Sequence, residues 1–270
     1  MTKMLNESLI ANIRQSGIAQ GEAEAGQRTS LLQELGFQMK EKAEYALIAS
    51  CFLPSMVPDD MKAFSSLLRH YGIDYTLLPK EYCCGNLLYL QASKSKSDEE
   101  LQKADVLAEE FLEANLSQAR KAGARKIVAF CAGCDLVYHR FREDSPEEIM
   151  WYPTLLERLF SGGRLEIQAD YYAGCHYFYQ RLNRAMPDLE AMPRIFSRIE
   201  GLQLNHLDRQ LCCTRPQQME ALAASIKNRV VITPCGGCAE QLQRSLKDLG
   251  DYRVVMVPQV VWAAVSDQSL

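Results

Sequence analysis

From Tyr45 onward, short apolar runs alternate with longer segments whose apolar residues recur every three or four positions, as strands alternating with amphipathic helices require. The run YALIAS predicts a strand leading into Cys51. After it, Pro58 near the start, Met61, Phe64, Leu67, Leu68 and Tyr71 on one face, and Gly72 as a stop predict a helix. YTLLPKEY brings in Cys83–Cys84, a helix is expected from Asp98 to Ala122 with Gly123 ending it, and the β-rich KIVAF runs up to Cys131-x-x-Cys134, which opens another helix. The pattern then repeats. ADYYAG leads into Cys175, LNHLDRQL into Cys212–Cys213, a shorter helix is expected from Gln217 to Lys227, and RVVIT leads to Cys235-x-x-Cys238. The echo continues past the cysteines, where WYPTLLERLF resembles VPQVVWAAV.

This order predicts an α/β protein of two related strand–Cys–helix halves, residues 45–164 and 165–270, with the boundary around Gly162–Gly163. Residues 1–44 form an α-helical N-terminal extension without cysteine. Helices are expected around Leu5 to Ile13 and from Leu31 to Met39 behind a Ser30 cap, split by GIAQGEAEAGQ. Such a segment either packs on the body or a partner, or serves as an assembly arm.

A chain of 270 residues buries a core without disulfide staples, which weakens a disulfide reading of its ten cysteines. The N-terminus has no apolar h-region and no stretch reaches the roughly 18 apolar residues of a membrane span, so a cytoplasmic protein without direct membrane insertion is expected. The net charge of −4 and the absence of a basic run argue against nucleic acid. Without a Walker A motif or a convincing G-x-G-x-x-G, no nucleotide, NAD or flavin is expected to bind this chain directly.

The chemistry lies in the cysteines. All ten fall into two sets of one form: Cys51, Cys83–Cys84, Cys131 and Cys134; then Cys175, Cys212–Cys213, Cys235 and Cys238. A C-x-x-C between strand and helix aims two sulfurs at one centre, and the helix N-terminus stabilises thiolate charge. Gly85, Gly133, Gly236 and Gly237 suit tight turns and close backbone approach to sulfur. A mononuclear zinc site or a cubane cluster takes four ligands and would leave one thiol free, whereas a larger or open cluster could use all five. Two complete sets weigh against plain packing, and the vicinal pairs have no natural role in a zinc tetrahedron. His176 beside Cys175 is an alternative ligand, a proton donor or an ordinary histidine; His70, His139 and His206 have no constellation. Lys80 and Arg215 are expected to balance cluster charge rather than steer a substrate.

The arrangement C-x31-C-C-G-x45-C-x2-C, followed by C-x36-C-C-x21-C-x2-C, resembles the cysteine-rich CCG domain found in duplicate in the B-type subunit of heterodisulfide reductase, from about Tyr45 to the C-terminus. The same domain occurs in glycolate and lactate oxidation iron–sulfur subunits and in one component of some succinate or fumarate reductases. The resemblance implies two non-cubane [4Fe-4S] clusters, one per five-cysteine set, with disulfide cleaved between them. It also implies a redox complex in which a flavoprotein subunit feeds a ferredoxin-like iron–sulfur subunit that passes electrons on. The expected function is therefore an iron–sulfur oxidoreductase subunit delivering electrons to a disulfide or similar acceptor. The alternative is an electron-relay subunit without its own substrate, in hydroxy-acid oxidation or a succinate/fumarate-type complex. Thr214 in place of the glycine, and a second interval of 21 residues against 46 in the first, depart from the pattern at the second site.

Overall fold

Two helices precede the first strand. Helix α1 (Glu7–Ser16) starts behind Asn6, whose side chain accepts the Leu9 N–H, and ends at Gly17, whose φ of 86° lets its N–H reach the Ile13 carbonyl. Helix α2 (Glu22–Glu34) begins well before Leu31, because Gly21 makes the break and Glu22 and Glu24 favour a helix N-terminus. The expected Ser30 cap is thus corrected: its hydroxyl donates to the Gly26 carbonyl inside the helix.

The computed structural model describes residues 5–95, 97–141, 145–174, 187–266 and 268–270. They contain two parallel four-stranded sheets of identical topology, an α/β fold. Strands β1 (Tyr45–Ile48), β2 (Tyr75–Leu77), β3 (Lys126–Ala129) and β4 (Glu148–Trp151) lie in the order β2-β1-β3-β4, with Tyr45 opposite both Tyr75 and Lys126. Strands β5 (Gly163–Tyr171), β6 (Ile199–His206), β7 (Val230–Thr233) and β8 (Arg253–Met256) repeat it as β6-β5-β7-β8. Parallel strands need crossovers, and helices supply them. The described helices after β1 are α3 (Leu53–Met56), α4 (Pro58–His70), α5 (Asn86–Ser95), α6 (Asp98–Lys121), α7 (Ala132–Phe141), α8 (Tyr152–Leu159), α9 (Ala191–Phe196), α10 (Pro216–Ala224), α11 (Gly236–Leu246) and α12 (Val257–Ser266), of which α8 joins the two sheets and α12 follows the last strand. None of the described helices is long and apolar enough to cross a membrane.

The compact units do not coincide with the halves in the sequence. One comprises residues 1–55 and 73–151, the other 56–72 and 152–270. Helix α4 lies between β1 and β2 in sequence yet belongs to the second unit, where it packs on α12. Its fully buried Met61, Phe64 and Leu67 each stabilise by about 1.5–3 kcal/mol. Asp60 adds a polar tie, its carboxylate accepting the Met256 N–H at 2.6 Å and the Gln259 amide at 2.7 Å at the start of α12.

The N-terminal extension is part of the first unit and lies along α6. Glu100 accepts the Leu5 N–H at 2.6 Å, Lys103 pairs with Glu7 at 3.0 Å, and Arg14 makes a two-pronged contact with Glu110.

Candidate metal centre

In the first sheet the chain runs from β1 outward to β2, returns across to β3 and continues to β4, so its direction reverses between β1 and β3. The crevice beyond the carboxyl ends of strands at such a reversal is where open α/β sheets bind ligands. Cys51 follows β1, Cys83–Cys84 follow β2, Cys131 follows β3, and Cys134 lies in the first turn of α7. The second sheet places Cys212–Cys213 after β6, Cys235 after β7 and Cys238 in the first turn of α11. Cys175 and His176 lie outside the described residues.

In the first set each thiol acts on the ionisation of the next, Cys51 with Cys83, Cys83 with Cys84, Cys84 with Cys134 and Cys134 with Cys131, so the five lie near one another in series. All but Cys131 are buried. Hydrogen bonding to Cys83, then burial, pushes the Cys51 thiol well above its ordinary pKa. Cys84 moves the other way, lowered to about 6 by the hydrogen bonds from Cys134 and Cys83. The Gly133 N–H donates to Cys131 Sγ at 3.3 Å, and a Cβ at Gly133 would come within 2.8 Å of the Asn86 amide. A side chain there would have to push the Asn86 amide aside.

The loop carrying Cys83–Cys84 is fixed through its backbone. Asn115 on α6 accepts the Tyr82 N–H and donates to the Tyr82 carbonyl, each at 2.7 Å, while Gln118 does the same for Lys80 at 2.9 and 2.7 Å. Gly17 accepts the Cys83 N–H at 2.6 Å. Glu81 reaches back to the end of β1, its carboxylate accepting the Ala49 and Ser50 N–H groups, each at 2.8 Å. Arg28 of α2 completes the knot, donating to Glu81 at 2.7 Å and to the Ser50 carbonyl at 2.7 Å. Among the described residues Ser50 is the one non-glycine with positive φ, 80°, a conformation costing about 1–2 kcal/mol.

The second set is arranged differently. Cys213 donates to Cys238 at 3.3 Å, and Cys238 in turn acts on the Cys235 thiol at the start of the same helix. Cys212 instead shares a 3.1 Å hydrogen bond with the Thr214 hydroxyl, and its N–H donates to Gln218. Cys235 caps α11, and its thiol is lowered to about 7 by the Cys238 hydrogen bond, aided by the Cys238 and Gly237 N–H groups. Tyr152 anchors this turn, donating to the Pro234 carbonyl at 2.9 Å.

Of the other candidates, His70 packs edge-on against Tyr71 and Trp262, His206 against Tyr171, and His139 lies 3.4 Å from Asp135. Lys80 is engaged by the Arg14 carbonyl and the Tyr82 ring, so the cation built into the first site is Arg28, which the sequence did not single out. Arg215 is the N-cap residue of α10. The one local signal for the loop clamp was Asn115, a buried polar residue among Phe111, Leu112, Leu116 and Ala119.

No group of three or more His, Cys, Asp or Glu side chains among the described residues is placed to hold a metal ion directly. Two thiolates on one tetrahedral ion stand about 3.8 Å apart for a bond of about 2.3 Å, so the Cys213–Cys238 pair at 3.3 Å would have to open slightly. The donor set fits an iron–sulfur group: soft sulfur alone, largely buried, at strand ends beside backbone N–H groups.

Residues 45–137, which include the whole first set, match the cysteine-rich domain family CCG. A curated relative, the D-type subunit of the dihydromethanophenazine:CoB–CoM heterodisulfide reductase of Methanosarcina acetivorans, is 26% identical over 167 residues, which span 56% of this chain and 38% of the relative. That relative is of the D type, where the sequence alone suggested the B type. A hypothetical protein of Helicobacter pylori has a crystal structure similar over 91% of this chain and 55% of its own, with a TM-score of 0.54 and 14% identity, a likeness of fold.

Proposed function

We propose that this chain is an iron–sulfur redox subunit of the heterodisulfide reductase type. One non-cubane [4Fe-4S] cluster would be held by Cys51, Cys83, Cys84, Cys131 and Cys134, and a second by Cys175, Cys212, Cys213, Cys235 and Cys238. The observation that supports the proposal is the gathering of five neighbouring thiols at the strand ends beside the direction reversal of the first sheet, within the stretch that matches the cysteine-rich domain. Bound there, an iron–sulfur group supplies one-electron oxidation and reduction at thiolate-held iron.

The chain's own residues would orient the thiols, exclude water by burial, and hold thiolate charge with N–H groups such as those of Gly133 and Gly237. Electrons would arrive from a ferredoxin-like subunit fed by a flavoprotein. Two of them, with two protons, would reduce one disulfide to two thiols. Iron, sulfide and electron paramagnetic resonance of anaerobically purified full-length protein test the assignment. Cys84→Ser and Cys213→Ser are each expected to remove one of two signals; absence of iron and sulfide, or about one zinc per unit, would overturn it.

A relay role without a substrate is favoured by one observation, the hydrogen bond that Cys212 shares with Thr214, the residue that replaces the glycine of the first vicinal pair. Brisk reduction of small disulfides by the loaded protein with a chemical reductant would exclude that role.

A further inference from the structure

We propose that the N-terminal extension is the positioning element of the first cysteine set, with Arg28 and Gln20 aiming Cys51 through the backbone of Ser50. The role presupposes the first set as cluster ligands and adds what holds one ligand in place. Ser50 must enter the left-handed region for the chain to turn from β1 into Cys51, and a residue with a Cβ resists it. Both of its peptide groups are held. Its N–H is taken by Glu81, its carbonyl by Arg28, and the next carbonyl, that of Cys51, by the Gln20 amide at 3.1 Å. Arg28 also neutralises Glu81, whose side chain is only 3% exposed. Gly17 brings the extension close enough: it accepts the Cys83 N–H, has a φ of 86°, and leaves no room for a Cβ against the Glu81 carbonyl.

The second half makes the same turn differently. Gly174, immediately before Cys175, has a φ of 90°, which glycine adopts freely. Serine at the first site adopts at a cost a conformation that glycine adopts freely, and the clamp holds it there.

The test compares full-length wild type, Arg28→Ala, Ser50→Gly and the double variant. After anaerobic loading, Arg28→Ala is expected to lose the resonance signal that Cys84→Ser loses and keep the one that Cys213→Ser loses. Ser50→Gly is expected to retain both signals, and the double variant to regain the lost one. Loss of Glu81 neutralisation alone would not be rescued at Ser50, so an unrescued Arg28→Ala, or one with both signals intact, overturns the proposal.

Alkylation of Cys51 in metal-free protein separates this from the cluster assignment. Arg28→Ala should speed it at least about fivefold, and Ser50→Gly should reverse the change; an unchanged rate overturns the proposal even if no cluster binds. Should Arg28→Ala fail to fold, Gln20→Ala with and without Ser50→Gly is measured by the same alkylation and judged by the same outcomes.

Discussion

The described cysteines of the two sets stand at equivalent places on sheets of one topology, yet the loops that carry them are held differently. In the first, five thiols lie near one another and their loops are tied by Glu81, Arg28, Asn115, Gln118 and Gly17. In the second, Cys213 donates to Cys238 and Cys212 shares a hydrogen bond with the Thr214 hydroxyl. The easily formed thiolate changes place too, from Cys84 of the vicinal pair to Cys235 at the helix start. Duplicating a topology thus preserves where the thiols arrive but leaves their charge and restraint to each loop's neighbours.

The largest expected effect comes from the first site's buried carboxylate. Glu81→Ala leaves Arg28 without its partner and two backbone N–H groups without acceptors, and should cost about 3–5 kcal/mol in denaturant unfolding. A cost below about 1 kcal/mol, typical of an exposed pair, would erase the contrast with the second site.

The second unit also has a buried carboxylate, but Asp60 is bonded by neutral donors, with Asp59 and Arg253 as the charged groups acting on it. Burial raises it from 3.8 to about 6. The folded state therefore binds the extra proton between those values, and the associated stability, present below pH 4, is lost as pH rises through 6, by up to about 3 kcal/mol. Asp60→Asn should abolish this slope and gain up to that amount at pH 7; thermal unfolding across pH 3.5–7.5 reads it, and an unchanged slope would show Asp60 to be compensated as Glu81 is.

Gly17→Ala combines positive φ with a clash against the Glu81 carbonyl, and should cost about 1–3 kcal/mol and raise Cys83 alkylation in metal-free protein. The smallest effect belongs to Thr214→Val. It removes the hydroxyl partner of Cys212 at about 1 kcal/mol and should raise Cys212 reactivity while leaving the first set untouched; a change in Cys84 reactivity would show the sets to be coupled.

Much of this arrangement was legible because it is local. Pro58, the apolar face of α4 and Gly72 marked that helix, and Ser97, the first-turn acids and Gly123 delimit α6. Strands β4 and β8 escaped notice because each runs directly into a helix, at Trp151–Tyr152 and Met256–Val257, so its apolar residues merge with the helical pattern. Helix α2 was misplaced because Gly26 looks like a break, whereas a single interior glycine costs only about 1 kcal/mol.

The sequence by itself determined that thiols arrive in two sets of one form, each at a strand end or helix start, since periods of 2 and 3.6 residues and the cysteine spacing are properties of neighbouring residues. Only the tertiary structure decided which unit holds α4, that the extension lies on the first unit, and that Arg28, Glu81 and Ser50 meet beside Cys51. Those contacts join residues far apart in the chain, where a buried charge or a strained backbone is tolerated only once its partners have been brought together by the packing of other elements.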